Sequence, residues 1–150
     1  AAGAWSIEWP YERVIWRLEA GDVAAARRLA DEVGIDVPER WREVWTQVAA
    51  EVAAAAEIAP AATDWSAARP VFAEQGWQRG VATLLRSGPA AACPWLSLAA
   101  AAGGGDRVLR RAVYEFCRAA RDADVRRMND IRAVLRRRGV PAELAPVFRE

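Results

Sequence analysis

Apolar positions recur at spacings of three and four along most of the chain, and strand-like alternation is scarce, so the pattern predicts an all-α protein. The first predicted helix opens near Pro10, sets Tyr11, Val14, Ile15 and Leu18 on one face, and ends at Gly21. Asp22 is placed to cap a second helix with Val23, Ala26, Leu29, Ala30 and Val33 inward and Gly34 as its stop. A third runs from Pro38 to Pro60 with a long stripe of Trp41, Val44, Trp45, Val48, Val52, Ala55 and Ala59. After Asp64 the pattern stays helical but is punctuated by Pro70, Gly76 and Gly80. That predicts a short helix, then a second restarted at Pro70 with Ala73, Trp77, Val81, Leu84 and Leu85 buried.

Gly88-Pro89 is expected to turn, and Pro94 to Ala102 to form an all-apolar, buried helix. Gly103-Gly104-Gly105 is the sharpest break. Asp106 then caps a helix with Leu109, Ala112, Val113, Phe116 and Ala120 inward. The next runs roughly from Ala123 to Arg138, with Val125, Met128, Ile131, Val134 and Leu135 inward and Gly139 as its stop, and Pro141 to Phe148 forms a short final helix. The expectation is one domain over residues 1–150. Its fold is an irregular or orthogonal bundle of about seven to eight antiparallel helices, centred on the Trp41 and Trp95 helices.

The stretch Val14 to Pro38 resembles the middle of a tetratricopeptide repeat, through Ala20-Gly21-Asp22, Ala26, Leu29 and the closing Pro38. No second copy follows near residue 55 or 72, and such stacks need about three units. The stretch is therefore expected to be a plain antiparallel helical hairpin, and no peptide-binding role is carried onto its residues.

Composition narrows the chemistry. All 21 basic residues are Arg, against 20 acids, and there is no His. Without His there is no Ser-His-Asp or Cys-His pair, no histidine metal ligand and no histidine pH switch. Without Lys there is no Schiff base and no Walker-type phosphate loop. Two Cys, Cys93 and Cys117, cannot close a structural zinc site alone, and are expected to be small buried hydrophobes, or a disulfide if the protein is exported. Cys93-Pro94 resembles the Cys-Pro motif of some haem-responsive proteins, but two residues assign no cofactor. No metal or cofactor is indicated.

The longest apolar run, Ala90 to Ala102, is broken by Pro94 and Ser97 and falls short of the roughly 20 residues a membrane span needs. No signal-peptide pattern is present, and Ala1-Ala2-Gly3-Ala4 has the look of a cloning remnant or a processed end. A cytoplasmic protein is expected, with a mature secreted chain left open. Arg without Lys, beside 35 Ala, points to a GC-rich bacterial genome.

Charge divides at the triple glycine. Residues 1–102 carry 9 Arg and 13 acids, a net −4, while residues 103–150 carry 12 Arg and 7 acids, a net +5. Acidic and basic segments can meet within one domain, between two copies, or on an acidic partner.

The eight Trp are the strongest functional signal. Trp41, Trp45 and Trp77 fall on core stripes, and together with Trp95 they are candidate walls for a small apolar ligand. Trp16 faces away from the Tyr11–Leu18 stripe, and Trp5 and Trp9 precede it. A helix there sets Trp9 and Trp16 on the same face. These three are the candidate contact surface for a protein partner or a second copy.

Arg126, Arg127, Arg136, Arg137 and Arg138 are candidate anion or nucleic-acid contacts. Interspersed acids such as Glu115, Asp122, Asp124 and Asp130, and a pI near 8.1, make nucleic acid the weaker choice. The triple glycine before a helix start could cradle an anion, but it is expected to be a connector. The carboxylate pairs Glu8/Glu12 and Glu39/Glu43 sit in no motif and no catalytic residue is assigned. The leading expectation is a non-enzymatic helical interaction module, an adaptor or accessory subunit. The alternatives are a Trp-lined small-molecule bundle and nucleic-acid binding through the Arg-rich C-terminal helices.

Overall fold

The computed structural model describes the backbone of residues 8–148 and the side chains of residues 11–148. The described residues form an all-α structure, and their only β feature is one isolated bridge. The chain divides into two compact units, the first running to Val71 and the second starting at Phe72.

The first unit holds α1 (Glu8–Glu19), α2 (Val23–Gly34), a 3-10 turn (Glu39–Trp41), α3 (Arg42–Ile58) and α4 (Trp65–Val71). Helices α1 and α2 form the expected hairpin. Gly21 turns between them at φ +76°, and the Asp22 carboxylate accepts from the Ala25 amide at 3.1 Å. A Cβ on Gly21 would lie 2.5 Å from the Asp64 carbonyl and the Trp65 backbone, so only glycine fits. The segment after α3 thus clasps the hairpin turn, and Ala24 N–H donates to the Ala62 carbonyl at 3.3 Å. Helix α2 packs against both α1 and α3 and is the middle helix of this unit, a place the sequence pattern assigned to α3.

The second unit holds a π turn (Phe72–Gly76), α5 (Trp77–Ser87), α6 (Pro89–Ala102), α7 (Arg107–Arg121), α8 (Val125–Arg138), a 3-10 turn (Ala142–Leu144) and α9 (Ala145–Phe148). The apolar helix α6 is its centre, packed against the π turn, α5 and α7. Its core joins Leu84, Leu96, Leu109, Val113, Phe116, Leu135, Leu144 and Phe148. Phe148 meets Phe116 edge-on at 4.8 Å, and its carbonyl accepts from Arg136 Nε at 3.0 Å. The final helix is therefore a core element.

Several local expectations change. Pro70 does not restart a helix: it lies inside α4, followed by the π turn, as suits a proline that removes an amide from the helical ladder. Gly76 and Gly80 are not breaks. A Cβ on Gly76 would reach the Trp95 carbonyl at 3.1 Å and the Ala99 amide at 3.2 Å, and one on Gly80 would meet Leu96 at 2.5 Å. The two glycines, one turn apart, let α5 lie tightly on α6. That seam centres the buried face on Gly76, Gly80 and Leu84, which leaves Leu85 on the flank, exposed rather than buried.

Helix α6 starts at Pro89, five residues before the expected Pro94, which it accommodates internally. Helix α8 is capped by Asp124, after Ala123 takes a left-handed turn at φ 57°. Met128, Ile131 and Leu135 define its inward line, so Val125 and Val134, about a quarter-turn to either side, are exposed. Val44, at the edge of the α3 stripe in its first turn, is exposed for the same reason. The triple glycine joins α6 to α7 inside the second unit.

Candidate functional site

Helix α1 turns Val14 and Leu18 into the core of the first unit. Trp16, two residues from each, points the other way and is 55% exposed. Arg13, Trp16, Arg17 and Ala20 line a shallow surface depression of about 380 Å³. Arg17 reaches only loosely to Asp22, at 3.8 Å. Covering the rest of such an indole, roughly 100 Å² at about 25 cal/mol per Å², would contribute about 2.5 kcal/mol to an association. Trp9 lies in α1, two turns before Trp16, but its side chain and all of Trp5 fall outside the described residues.

The other candidate Trp residues are taken up locally. Trp45 is buried, and its Nε1 would lie 3.3 Å from a Cβ at Gly34. Trp41 is half-buried beneath Arg40, with 5.5 Å from guanidinium to ring, and its indole N–H is enclosed without a hydrogen-bond partner among the described residues. In the second unit Arg110 lies 5.0 Å over Trp77 and Arg79 lies 5.4 Å over Trp95. Arg-over-Trp stacking is a feature the sequence reading missed. The paired residues are 33 and 16 positions apart, so no local spacing announces them. Arg110 also donates to the Ala73 carbonyl at 2.7 Å, tying α7 to the π turn, and burial lowers its pKa from the ordinary arginine value.

Three of the five Arg candidates on α8 have intramolecular work. Arg127 pairs with Glu115 at 3.1 Å, Arg136 holds the Phe148 carbonyl, and Arg138 bonds Asp106 at 2.6 Å. Arg126 and Arg137 are exposed, with no ion pair to the described residues. The start of α7 is closed to an outside anion by its own Asp106, which accepts from the Leu109 amide at 3.0 Å. That amide, and then Arg138, hold the Asp106 carboxyl below its ordinary pKa.

Among acidic candidates, Asp124 caps α8 and Asp122 pairs with Arg121 at 3.2 Å. Glu12, Glu39 and Glu43 are exposed, and the Glu8 side chain falls outside the described residues. Among the described residues no group of three or more Cys, Asp and Glu is placed to hold a metal ion. Cys93 and Cys117 are buried thiols in one core, with no disulfide between them. Burial pushes the Cys117 thiol pKa up, and Cys93 adds to the shift. No helix among the described residues is long and apolar enough to cross a membrane.

A second open surface lies between α6 and α7, where Ala100, Arg107, Val108, Arg111 and Ala112 line a groove of about 560 Å³. Comparison with protein-family models, curated proteins and solved structures found no match.

Proposed function

We propose that this chain is a non-enzymatic helical interaction module that presents Trp16, flanked by Arg13 and Arg17, to a partner protein. One observation carries the reading: the Trp16 indole is more than half exposed on a well-formed helix whose opposite face is buried. A large aromatic with cationic neighbours is the composition of an interface anchor. The other described Trp candidates are packed or covered by Arg, which favours Trp16 over them as the contact residue. The proposal includes a cytoplasmic setting, in keeping with two thiols buried in one core.

Trp16→Ala tests it. We expect the melting temperature to stay within about 2 °C of the parent, since an exposed side chain contributes little to folding. Capture of protein partners by the immobilised chain, compared by mass spectrometry, is expected to be lost in the variant. If Trp16 were core, stability would fall by about 3–5 kcal/mol and the melting temperature by roughly 10 °C. Unchanged capture at unchanged stability would reject the assignment.

A further inference from the structure

The shallow groove between α6 and α7 sets an apolar row beside a cationic one. Val108 is 62% exposed in the first turn of α7, while its neighbour Leu109 is buried. Val108 and Ala112 form an apolar row one turn apart, and Arg107 and Arg111 form a cationic row beside it. Ala100 of α6 completes the floor. Small side chains there permit the close approach of another helix, as Gly80 of α5 does on α6.

Arg107 has no ion pair among the described residues. Arg111 pairs with Glu115 at 3.0 Å, but Glu115 also holds Arg127 at 3.1 Å. A new carboxylate can therefore take Arg111 without stranding Glu115. The surrounding field has the same sign: from Phe72 onward the chain carries 14 Arg against 8 acids, a net +6.

We propose that this groove docks an acidic amphipathic helix of a partner protein, with small apolar residues on Ala100, Val108 and Ala112 and carboxylates four residues apart on Arg107 and Arg111. The groove belongs to the second unit and Trp16 to the first, and each proposal is tested by its own variants.

The test uses the full chain and a fluorescein-labelled peptide of four Glu-Ala-Leu-Gln repeats, followed by fluorescence anisotropy. We expect saturable, micromolar binding. Replacing each Glu of the peptide by Gln should weaken it at least about tenfold, as should Val108→Asp or Arg107→Glu in the protein. Asp in the first turn of α7 is compatible with the helix, so Val108→Asp is expected to keep the parent melting temperature. Val125→Asp, the same change at an exposed valine starting α8, is expected to leave affinity within about twofold.

No saturation by the Glu peptide would overturn the proposal. So would binding that falls with salt but ignores Val108→Asp, since that is unspecific attraction to a basic surface. A concentration-dependent dimer in light scattering that Val108→Asp abolishes would also overturn it, by placing a second copy in the groove.

Discussion

The two units are built from different materials. Among the described residues, nine of the fifteen buried hydrophobic residues in the first unit are alanine, against five of eighteen in the second. Of the eleven largest fully buried side chains, only Val14 and Val23 belong to the first. The charges differ too: the first unit carries 7 Arg and 12 acids, a net −5, and the second the net +6 given above. Alanine costs no side-chain entropy on burial, but it removes little apolar surface from water. A buried Leu or Phe contributes about 1.5–3 kcal/mol, against about 0.8 for a single methylene. The first unit therefore relies on backbone fit at its turns, and the second on the size of what it buries. Backbone errors should damage the first most, and cavities the second.

The largest effect tests the second half of that contrast. Phe148→Ala removes a ring packed edge-on to Phe116 and is expected to cost about 3–5 kcal/mol. Hydrogen exchange should show lost protection in α6, α7 and α8. A loss confined to α9 would mean that the final helix merely rests on the core.

Gly21→Ala tests the first half. It adds left-handed strain of about 1–2 kcal/mol, and its methyl would meet the Asp64 carbonyl at 2.5 Å, so we expect more than 2 kcal/mol in all, read as deprotection of α1 and α2. Gly103→Ala is the control: φ is +71° there, also left-handed, but the added carbon meets only the guanidinium end of the flexible Arg107 side chain, at 2.9 Å. Equal costs at the two positions would reject the claim that the Gly21 turn is held by its neighbours.

A smaller effect has the opposite sign. Ala123 is a non-glycine residue at φ 57°, and Ala123→Gly is expected to stabilise the second unit by up to about 1 kcal/mol, seen as a raised denaturation midpoint. A fall in stability would show that the methyl packs usefully.

The smallest effect concerns pH. The folded Asp106 pKa is depressed, so its contribution is present above the unfolded value and is lost as pH falls through the folded one. Asp106→Asn should melt below the parent at pH 7, and the gap should close as pH drops below about 4. A pH-independent gap would mean that only the shape of the cap matters.

Much of this fold was legible in the sequence where one residue does one job. Asp22 and Asp106 accept from the third residue of their helices, and Gly103 ends α6 at φ +71°. The outward direction of Trp16 followed from helical periodicity alone. Where one residue serves two purposes the reading failed. Glycine marks both a chain break and a close approach, and only the position of Leu96 shows that Gly80 is the second kind. Proline misled similarly at Pro70 and Pro94, because tertiary packing keeps a helix going past a lost hydrogen bond. The α6–α7 groove was hidden because its two walls meet through a turn, whereas periodicity describes one helix at a time.

The stacking of Arg on aromatic rings bears on how this sequence can drift. All 21 basic residues are arginine, and the structure puts the guanidinium to a use that an ammonium does not serve as well. Arg40, Arg79, Arg110, Arg111 and Arg132 each hold a guanidinium over the ring of Trp41, Trp95, Trp77, Tyr114 and Phe116 in turn. A lysine at any of them keeps the net charge of +1 and gives up the flat cover. The all-arginine composition thus acts as a ratchet: arginines that face only solvent can become lysine at little cost, while these five are held in place by the rings beside them.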